Sequence, residues 1–269
     1  MTEQSKLIGE HPISGFFYDW CKFEDTPSSV TKKHRKLTDA GINRDELTEQ
    51  LSDLIIKHHI TSIQDKRFKE KKSILTKHNF KQYVKERMPF PIADKTKKGN
   101  LGEIILAEYL TSTSGLELLV YKLRFNPNVE QSMKGDDILL FEKLNIQNKL
   151  IMGEAKFRTT KSKAALDDIV SSLSTSNLPI SLTFVSNRLS ELGENDLSDD
   201  VDNLISKVHS KKLPVTYVGF YHSEETISTT IEKNLNSANP NLIVISYGEN
   251  NPDELIDESF NKALEKIMS

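Results

Sequence analysis

The chain has 269 residues and a net charge of −3, with 36% hydrophobic residues, 11 glycines and 9 prolines. This composition is typical of a globular protein with one large domain or a core domain and an appendage, and it excludes global disorder. We expect a cytoplasmic protein without membrane association, because no charged-then-apolar leader begins the sequence and no apolar stretch reaches roughly 18 residues. A single cysteine, Cys21, excludes an internal disulfide and a multi-cysteine zinc site.

Positive charge is concentrated between Lys57 and Lys98, where 13 Lys or Arg residues accompany 4 Asp or Glu residues. Such an excess is typical of a surface that faces phosphate, although a solvated helix face has the same composition. The opposite bias occurs in "ELGENDLSDDVD", which we interpret as a solvated acidic surface. The sequence leaves open whether the basic segment faces DNA, a protein partner or the chain's own cleft.

The first part of the chain predicts helices. Residues 1–30 are expected to be irregular, with an aromatic cluster in "GFFYDW". The stretch "DAGINRDELTEQLSDLIIKHHI" predicts an amphipathic helix capped by Asn43. A second, basic helix is predicted over "SILTKHNFKQYVKERM" and stops at "PFP". We therefore predict a mostly helical N-terminal region over residues 1–92, basic toward its end.

Residues 93–269 predict an α/β domain. A connector, "ADKTKKGN", precedes a helix, "LGEIILAEYLTS", that ends at Gly115. Three strands follow in "LELLVYKLRF", "DDILLFEK" and "KLIMGEAKFR", then a helix in "KAALDDIVSSLS" and a strand in "PISLTFVSN". Beyond these we predict a helix in "SDDVDNLISKVHS", strands in "LPVTYVGFYH" and "NLIVISYG", and a closing helix in "NPDELIDESFNKALEKIM". The order α-β-β-β-α-β predicts a mixed sheet flanked by helices.

Charged side chains interrupt the second and third of these predicted strands. Glu154 and Lys156 are two residues apart, so both side chains leave the same face of the strand, roughly 6–7 Å apart. Asp136 and Asp137 begin the preceding strand, and an antiparallel hairpin would bring them toward Glu154. Carboxylate oxygens bind Mg²⁺, and a lysine can stabilise charge on a reacting phosphate. The pattern indicates metal-assisted phosphodiester hydrolysis, and a structural Glu154–Lys156 ion pair is the alternative.

These motifs resemble a known superfamily. "GDDILLF" followed by "GEAKFR" is similar to the Asp…Glu-X-Lys signature of the PD-(D/E)XK nucleases, and the order of the elements is similar to their restriction-endonuclease-like core. With "KKGNLGE" and the Lys/Ser-rich turn and acidic helix after "GEAKFR", residues 95–186 resemble the HamA family of Hachiman anti-phage systems. The proline of the superfamily signature is absent, and the helix after Lys156 lacks the glutamine of one exonuclease branch.

The resemblance implies a DNA nuclease that requires Mg²⁺ or Mn²⁺, binds no nucleotide cofactor and acts with a HamB-like superfamily 2 helicase partner. Carried over to this sequence, Glu103, Asp137 and Glu154 would bind the metal, and Lys156 would orient the attacking water and stabilise phosphate charge. Both faces of the strand after Asp136 and Asp137 are apolar, so alternation does not choose between them. We favour Asp137 because the superfamily's aspartate directly precedes the apolar run. The alternative is a non-catalytic, nuclease-like subunit that binds a helicase or DNA.

Three other features carry less weight. His58 and His59 are adjacent on a helix and face different directions, which favours packing or surface roles over a metal pair. "KKGNLGE" lacks the Gly-Lys-Ser/Thr ending of a phosphate loop, so we assign Gly99 to a turn and Gly102 to close helix packing. Arg158 follows the motif and either touches the DNA backbone or lies in a solvated turn.

Overall fold

A computed structural model describes residues 1–131, 133, 135–173 and 180–269. Within these ranges the helices are α1 (Glu3–Ile8), α2 (Phe16–Trp20), α3 (Arg44–His59), α4 (Ser62–Ile74), α5 (Lys77–Glu86), α6 (Asp94–Ser114), α7 (Lys163–Ser172), α8 (Ile180–Glu191), α9 (Asn195–His209), α10 (Ile227–Asn234) and α11 (Pro252–Met268). The strands are β1 (Cys21–Asp25), β2 (His34–Asp39), β3 (Ile138–Phe141), β4 (Leu150–Phe157), β5 (Val215–Glu224) and β6 (Leu242–Glu249), and a short 3₁₀ helix spans Lys122–Phe125.

The strands form one mixed sheet in the order β1-β2-β6-β5-β4-β3. β2, β6, β5 and β4 run parallel, and β1 and β3 are the antiparallel edge strands. β5 and β6 are buried along nearly their whole length, as expected for parallel strands that helices cover on both faces. The predicted α/β class, with a mixed sheet flanked by helices, is therefore confirmed.

Two apolar cores cover the two faces of the sheet. α3, α6 and α11 pack on one face, and α7, α8, α9 and α10 pack on the other. β4 contributes to both because its side chains alternate: Ile151 and Phe157 enter the first core, whereas Met152 enters the second. This arrangement places α6 on one face of β4, and the C-terminal end of β4 lines a cleft.

The N-terminal region contains strands that the sequence pattern did not predict. The expectation of an irregular segment over residues 1–30 is wrong, because α1, α2 and β1 lie there. β2 pairs in parallel with β6, with His34 opposite Val244. Trp20, from the aromatic cluster, is fully buried and donates a hydrogen bond from Nε1 to the Tyr247 hydroxyl at 2.9 Å. Residues of the N-terminal region thus complete the sheet, and the division at residue 92 stays a prediction.

The first predicted strand of the core, "LELLVYKLRF", is not a strand. Its main chain forms one isolated antiparallel bridge, between Glu117 and Phe141, and then turns into the 3₁₀ helix. Leu116 and Val120 are four residues apart and would share one face of a strand, but they lie in different cores. The predicted order of three consecutive strands is therefore reduced to the β3–β4 hairpin.

Two further predictions are wrong. "PISLTFVSN" forms the start of α8 rather than a strand from residue 180 onward; its Pro179 lies outside the described residues. Leu182, Val185 and Leu189 are buried at spacings of three and four, which is a helical face. The expected connector "ADKTKKGN" forms the first turns of α6, where the Glu130 carboxylate accepts hydrogen bonds from two main-chain N–H groups at the start of the helix.

The remaining elements agree with the predictions, including β3, β4, α7, α9, β5, β6 and α11. Asn43 caps α3 by accepting from the Asp45 N–H at 2.8 Å, and Gly115 ends α6 in the left-handed region with φ 69°. The basic helix is shorter than predicted, because Thr76 caps α5 and separates it from α4. No helix of the described ranges is long and apolar enough to cross a bilayer.

Candidate active site

The four predicted catalytic residues meet where α6 packs against the β3–β4 hairpin. They are Glu103 on α6, Asp137 directly before β3, and Glu154 and Lys156 on β4. The close approach of α6 depends on small residues, since a Cβ at Gly102 would lie 3.4 Å from the Ala155 Cβ. A Cβ at Gly153 would lie only 3.0 Å from a side-chain carbon of α6. The two glycines therefore allow α6 to pack closely on β4, which brings the carboxyl group of Glu103 to the end of the hairpin.

The register of the hairpin positions Asp137 beside Glu154. Ile138 lies opposite Gly153 in the antiparallel ladder, so the preceding residue comes next to the following one on β4. The Asp137 N–H donates to the Gly153 carbonyl at 3.1 Å, and its Oδ2 accepts from the Ala155 N–H at 2.8 Å. Two main-chain hydrogen bonds thus fix both the position and the orientation of this carboxylate.

Asp136 is held differently from Asp137. Its N–H donates to the Ser181 hydroxyl of α8 at 2.6 Å, and its carboxyl interacts with the same hydroxyl. Burial raises the pKa of Asp136 above its usual range. Strand alternation could not distinguish the two aspartates, but in the structure Asp137 is bonded to β4 and Asp136 to α8. The assignment of Asp137 as a metal ligand stays a prediction.

A cleft of about 420 Å³ is lined by three of the four predicted catalytic residues, Glu103, Asp137 and Lys156. Carboxylates of Glu103 and Asp137 lie within it. Its lining also includes four cations, which are Lys95 and Lys98 of α6, Lys156 of β4, and Arg158 directly after β4. An acidic centre within a basic lining suits a polyanion whose reacting phosphate is held together with a divalent cation.

The carboxylates of the site lie close together and are partly buried, and both effects disfavour their ionised forms. Burial, followed by the charge of Asp137, raises the pKa of Glu103 well above its usual range. The same two causes, in the same order, raise the pKa of Glu154 to about 7, although Lys156 and Lys122 oppose the shift. Lys156 forms a direct ion pair with Glu154, and their side chains are 26% and 13% exposed.

The donor chemistry of Glu103, Asp137 and Glu154 fits Mg²⁺ or Mn²⁺. Carboxylate oxygens are the ligands that these hard cations prefer, and a divalent charge would offset the burial and the repulsion that raise the pKa values of Glu103 and Glu154. Among the described residues, however, no group of three or more His, Cys, Asp or Glu side chains is already arranged to hold a metal ion. The fit is therefore one of donor type and charge, not of preformed coordination.

Lys122 is a site residue that the sequence analysis missed. Its Nζ lies 3.9 Å from Asp137 Oδ1 and donates to the Asp136 carbonyl at 3.1 Å, and its side chain is only 12% exposed. It comes from the 3₁₀ helix, inside the segment that was predicted to be a strand. A lysine within the apolar run "LLVYKLRF" was the available signal, and it is the same kind of signal that identified Lys156.

The two histidines of α3 have packing roles, as predicted. His58 Nε2 lies 2.7 Å from the Glu108 carboxylate, and His59 Nε2 lies 2.9 Å from the Asn100 amide, with all of these contacts in or beside the core. The prediction for Gly99 is wrong, because this residue lies within α6, where it lines the cleft instead of forming a turn.

Comparisons with known proteins cover almost the whole chain. The HamA family model matches residues 14–263. Hachiman protein HamA from Bacillus cereus is 39% identical over 269 residues, which cover 100% of this chain and 98% of that protein. The family match includes α6, the β3–β4 hairpin and the 3₁₀ helix that carries Lys122.

Proposed function

Because this chain belongs to the HamA family of Hachiman defence proteins, we propose that it is the DNA nuclease of its system, cutting or nicking DNA with Mg²⁺ or Mn²⁺. One observation carries this proposal. Glu103, Asp137 and Lys156 come from three separate segments and line one cleft that also contains further cations. Glu154 lies beside them, in an ion pair with Lys156 and under the charge of Asp137. The pKa values of Glu103 and Glu154 are raised, and charged groups with perturbed pKa values that lie together in this way are typical of a reaction centre.

Each residue has a distinct role in the proposed hydrolysis. Glu103, Asp137 and Glu154 would hold the cation, which when bound polarises the phosphate and lowers the pKa of a nearby water. The Ala155 N–H holds the Asp137 carboxylate in place, so that its orientation needs no rearrangement during the reaction. Lys156 would orient the attacking water and stabilise the negative charge that develops on the phosphate.

Two groups beside the reaction centre support binding and charge balance. The cations in the cleft lining, Lys95, Lys98 and Arg158, would bind phosphates that flank the scissile bond. Lys122 would offset the charge of Asp137 from the protein side, opposite the substrate. A superfamily 2 helicase is the proposed partner, as the resemblance to the HamA family implies.

Plasmid degradation in Mg²⁺, with the helicase partner present, tests the proposal. Lys156→Ala and Glu154→Gln are each expected to slow the reaction by about 100-fold or more, because each removes charge stabilisation or a ligand from the reaction centre. The matched control is Glu232→Gln, which changes an exposed glutamate of α10 outside the lining of the cleft and should leave the rate unchanged. If Lys156→Ala and Glu154→Gln both degrade plasmid at the parent rate, the active site is misassigned.

A non-catalytic, nuclease-like subunit is the second candidate. The direct ion pair between Lys156 and Glu154, together with the lack of a preformed metal-binding group among the described residues, favours it. Calorimetry with Mg²⁺ or Mn²⁺ separates the two functions. The nuclease should bind the ion and lose that binding in Asp137→Asn, whereas the non-catalytic subunit should show no binding in either protein.

A further inference from the structure

The helical hairpin formed by α4 and α5, residues 62–87, is the most basic surface element of the described chain, and we call it the basic hairpin. Its nine Lys or Arg residues outnumber its three Asp or Glu residues, which gives an excess of six positive charges. The whole chain has a net charge of −3, so this excess is local.

Most cations of the basic hairpin have no acidic partner. Lys66, Lys69 and Arg87 lie near acidic neighbours on the same helix. The other six are exposed and form no ion pair with any described residue; they are Arg67, Lys71, Lys72, Lys77, Lys81 and Lys85. Several lysines of α3, α6 and α11 instead form ion pairs with other elements, as Lys57 does with Glu108 at 2.8 Å. The hairpin thus concentrates six exposed cations without ion pairs in one structural element.

The basic hairpin is a fixed support for these charges. A capping box at Thr61 begins α4, and the rings of Phe68 and Tyr83 meet edge to face between the two helices, 6.2 Å apart. Phe80 and Val84 are buried where α5 packs on α11. These buried side chains fix the orientation of α5, so its exposed lysines point away from the protein core.

Three unpaired cations of α5 are evenly spaced. Lys77, Lys81 and Lys85 follow one another at intervals of four residues, which corresponds to about 6 Å of helix rise per step. They therefore form a row along the exposed side of the helix. A polyanion with regularly repeated charges matches such a row better than a folded acidic protein does, because a protein interface also needs an apolar centre. The large apolar side chains exposed on the hairpin, Ile63 and Ile74, lie at opposite ends of α4.

A short segment of the chain connects the basic hairpin to α6, which lines the cleft. After α5 the chain passes through Phe90, which is buried against the rings of His59 and Phe260, and enters α6 at Asp94. The first turns of α6 carry Lys95 and Lys98, and both line the cleft. The chain thus joins the end of the hairpin directly to the cleft through a short, anchored segment.

We propose that the basic hairpin is a DNA-binding arm, in which Lys77, Lys81 and Lys85 contact backbone phosphates of the duplex that flanks the segment in the cleft. This inference rests on the proposed DNA substrate. Contacts to phosphate position the duplex without reading its sequence, so the arm would raise affinity for any DNA to the same extent.

The test measures binding of the full-length chain to a labelled 30-base-pair duplex in EDTA, where no cleavage interferes. In the triple variant Lys77→Gln, Lys81→Gln and Lys85→Gln, affinity at low salt should fall by about tenfold or more, and the salt dependence should lose about three counterions. Glutamine keeps helix propensity close to that of lysine, and equal melting temperatures would verify the fold. The conservative triple Lys77→Arg, Lys81→Arg and Lys85→Arg should retain both affinity and salt dependence.

The control makes the same change of charge elsewhere. It replaces three exposed lysines outside the hairpin, Lys211, Lys212 and Lys233, with glutamine, and should bind DNA nearly as the parent does. Equal DNA affinity of the two triple variants overturns the inference, as does a hairpin variant that keeps DNA affinity but no longer associates with the helicase. A chain that binds DNA through the hairpin but never cleaves it would refute the proposed nuclease and leave the arm standing.

Discussion

Replacing Glu154 with glutamine should stabilise the metal-free fold while it removes the proposed activity. The side chain is 13% exposed, and burial and the charge of Asp137 raise its pKa to about 7, from an ordinary value of 4.5. The folded protein therefore favours the protonated form of Glu154. Glutamine has nearly the same shape and remains neutral at every pH, so the variant avoids the cost of the ionised form.

The magnitude follows from the pKa difference. A difference of about 2.5 pH units corresponds to about 3 kcal/mol in the free energy of unfolding once the pH exceeds 7. The cost is absent below about pH 4.5, where the group is protonated in both the folded and the unfolded state, and it grows as the pH rises through 7. At pH 5 we expect a gain of only about 1 kcal/mol from Glu154→Gln.

Urea unfolding in EDTA at pH 8 and pH 5 measures this effect. The matched control, Glu70→Gln, changes an exposed glutamate of α4 and should alter the free energy of unfolding by less than about 0.5 kcal/mol at both pH values. A Glu154→Gln protein that is less stable than the parent at pH 8 would refute the reasoning, since the ion pair with Lys156 would then outweigh burial and repulsion. A gain that does not depend on pH would refute the assigned cause.

Other substitutions test the charge balance, the buried histidines and the glycines. Lys122→Met should lower the free energy of unfolding by about 3 kcal/mol at pH 8 in EDTA, because it leaves buried carboxylates without their counter-ion, and urea titration measures the loss. Burial lowers the pKa of His34 and of His59 to about 4, so stability is lost as the pH falls from 6.5 toward 4, by about 2 kcal/mol for each at pH 5. Urea titrations at pH 7 and 5 should show a smaller loss in the His34→Gln and His59→Gln double variant. Gly9→Ala should lower the melting temperature far more than Gly41→Ala; both have positive φ, but only at Gly9 would a Cβ lie 1.8 Å from a main-chain oxygen of α6.

The site was predictable from sequence to the extent that it is local. Glu154 and Lys156 belong to one strand, and strand periodicity alone places them on one face. The neighbouring hairpin was visible as two apolar runs joined by a polar turn. The choice between Asp136 and Asp137 was not visible, because it depends on a cross-strand register and on a contact with α8. Both features need the folded chain.

Elements with charged residues or with mixed burial were the ones that the pattern missed. β1 reads "CKFED" and β2 reads "HRKLTD", and neither alternates like a strand with one apolar face. β2 is stabilised by pairing with β6, near the other end of the chain, so no local signal reports it. Lys122 was missed for a related reason, since its position follows from a 3₁₀ turn that replaces a plausible strand.

The pairing of β2 with β6 has a consequence for the synthesis of the protein. His34 lies opposite Val244, so roughly 210 residues separate the partners, and the sheet cannot close until β6 has left the ribosome. A nascent chain would therefore carry the Glu154 hairpin well before the sheet that supports it is complete, and the central part of that sheet would be missing until β6 is made. Under the proposed function, this order of assembly would delay any attack on DNA until β6 has paired with β2.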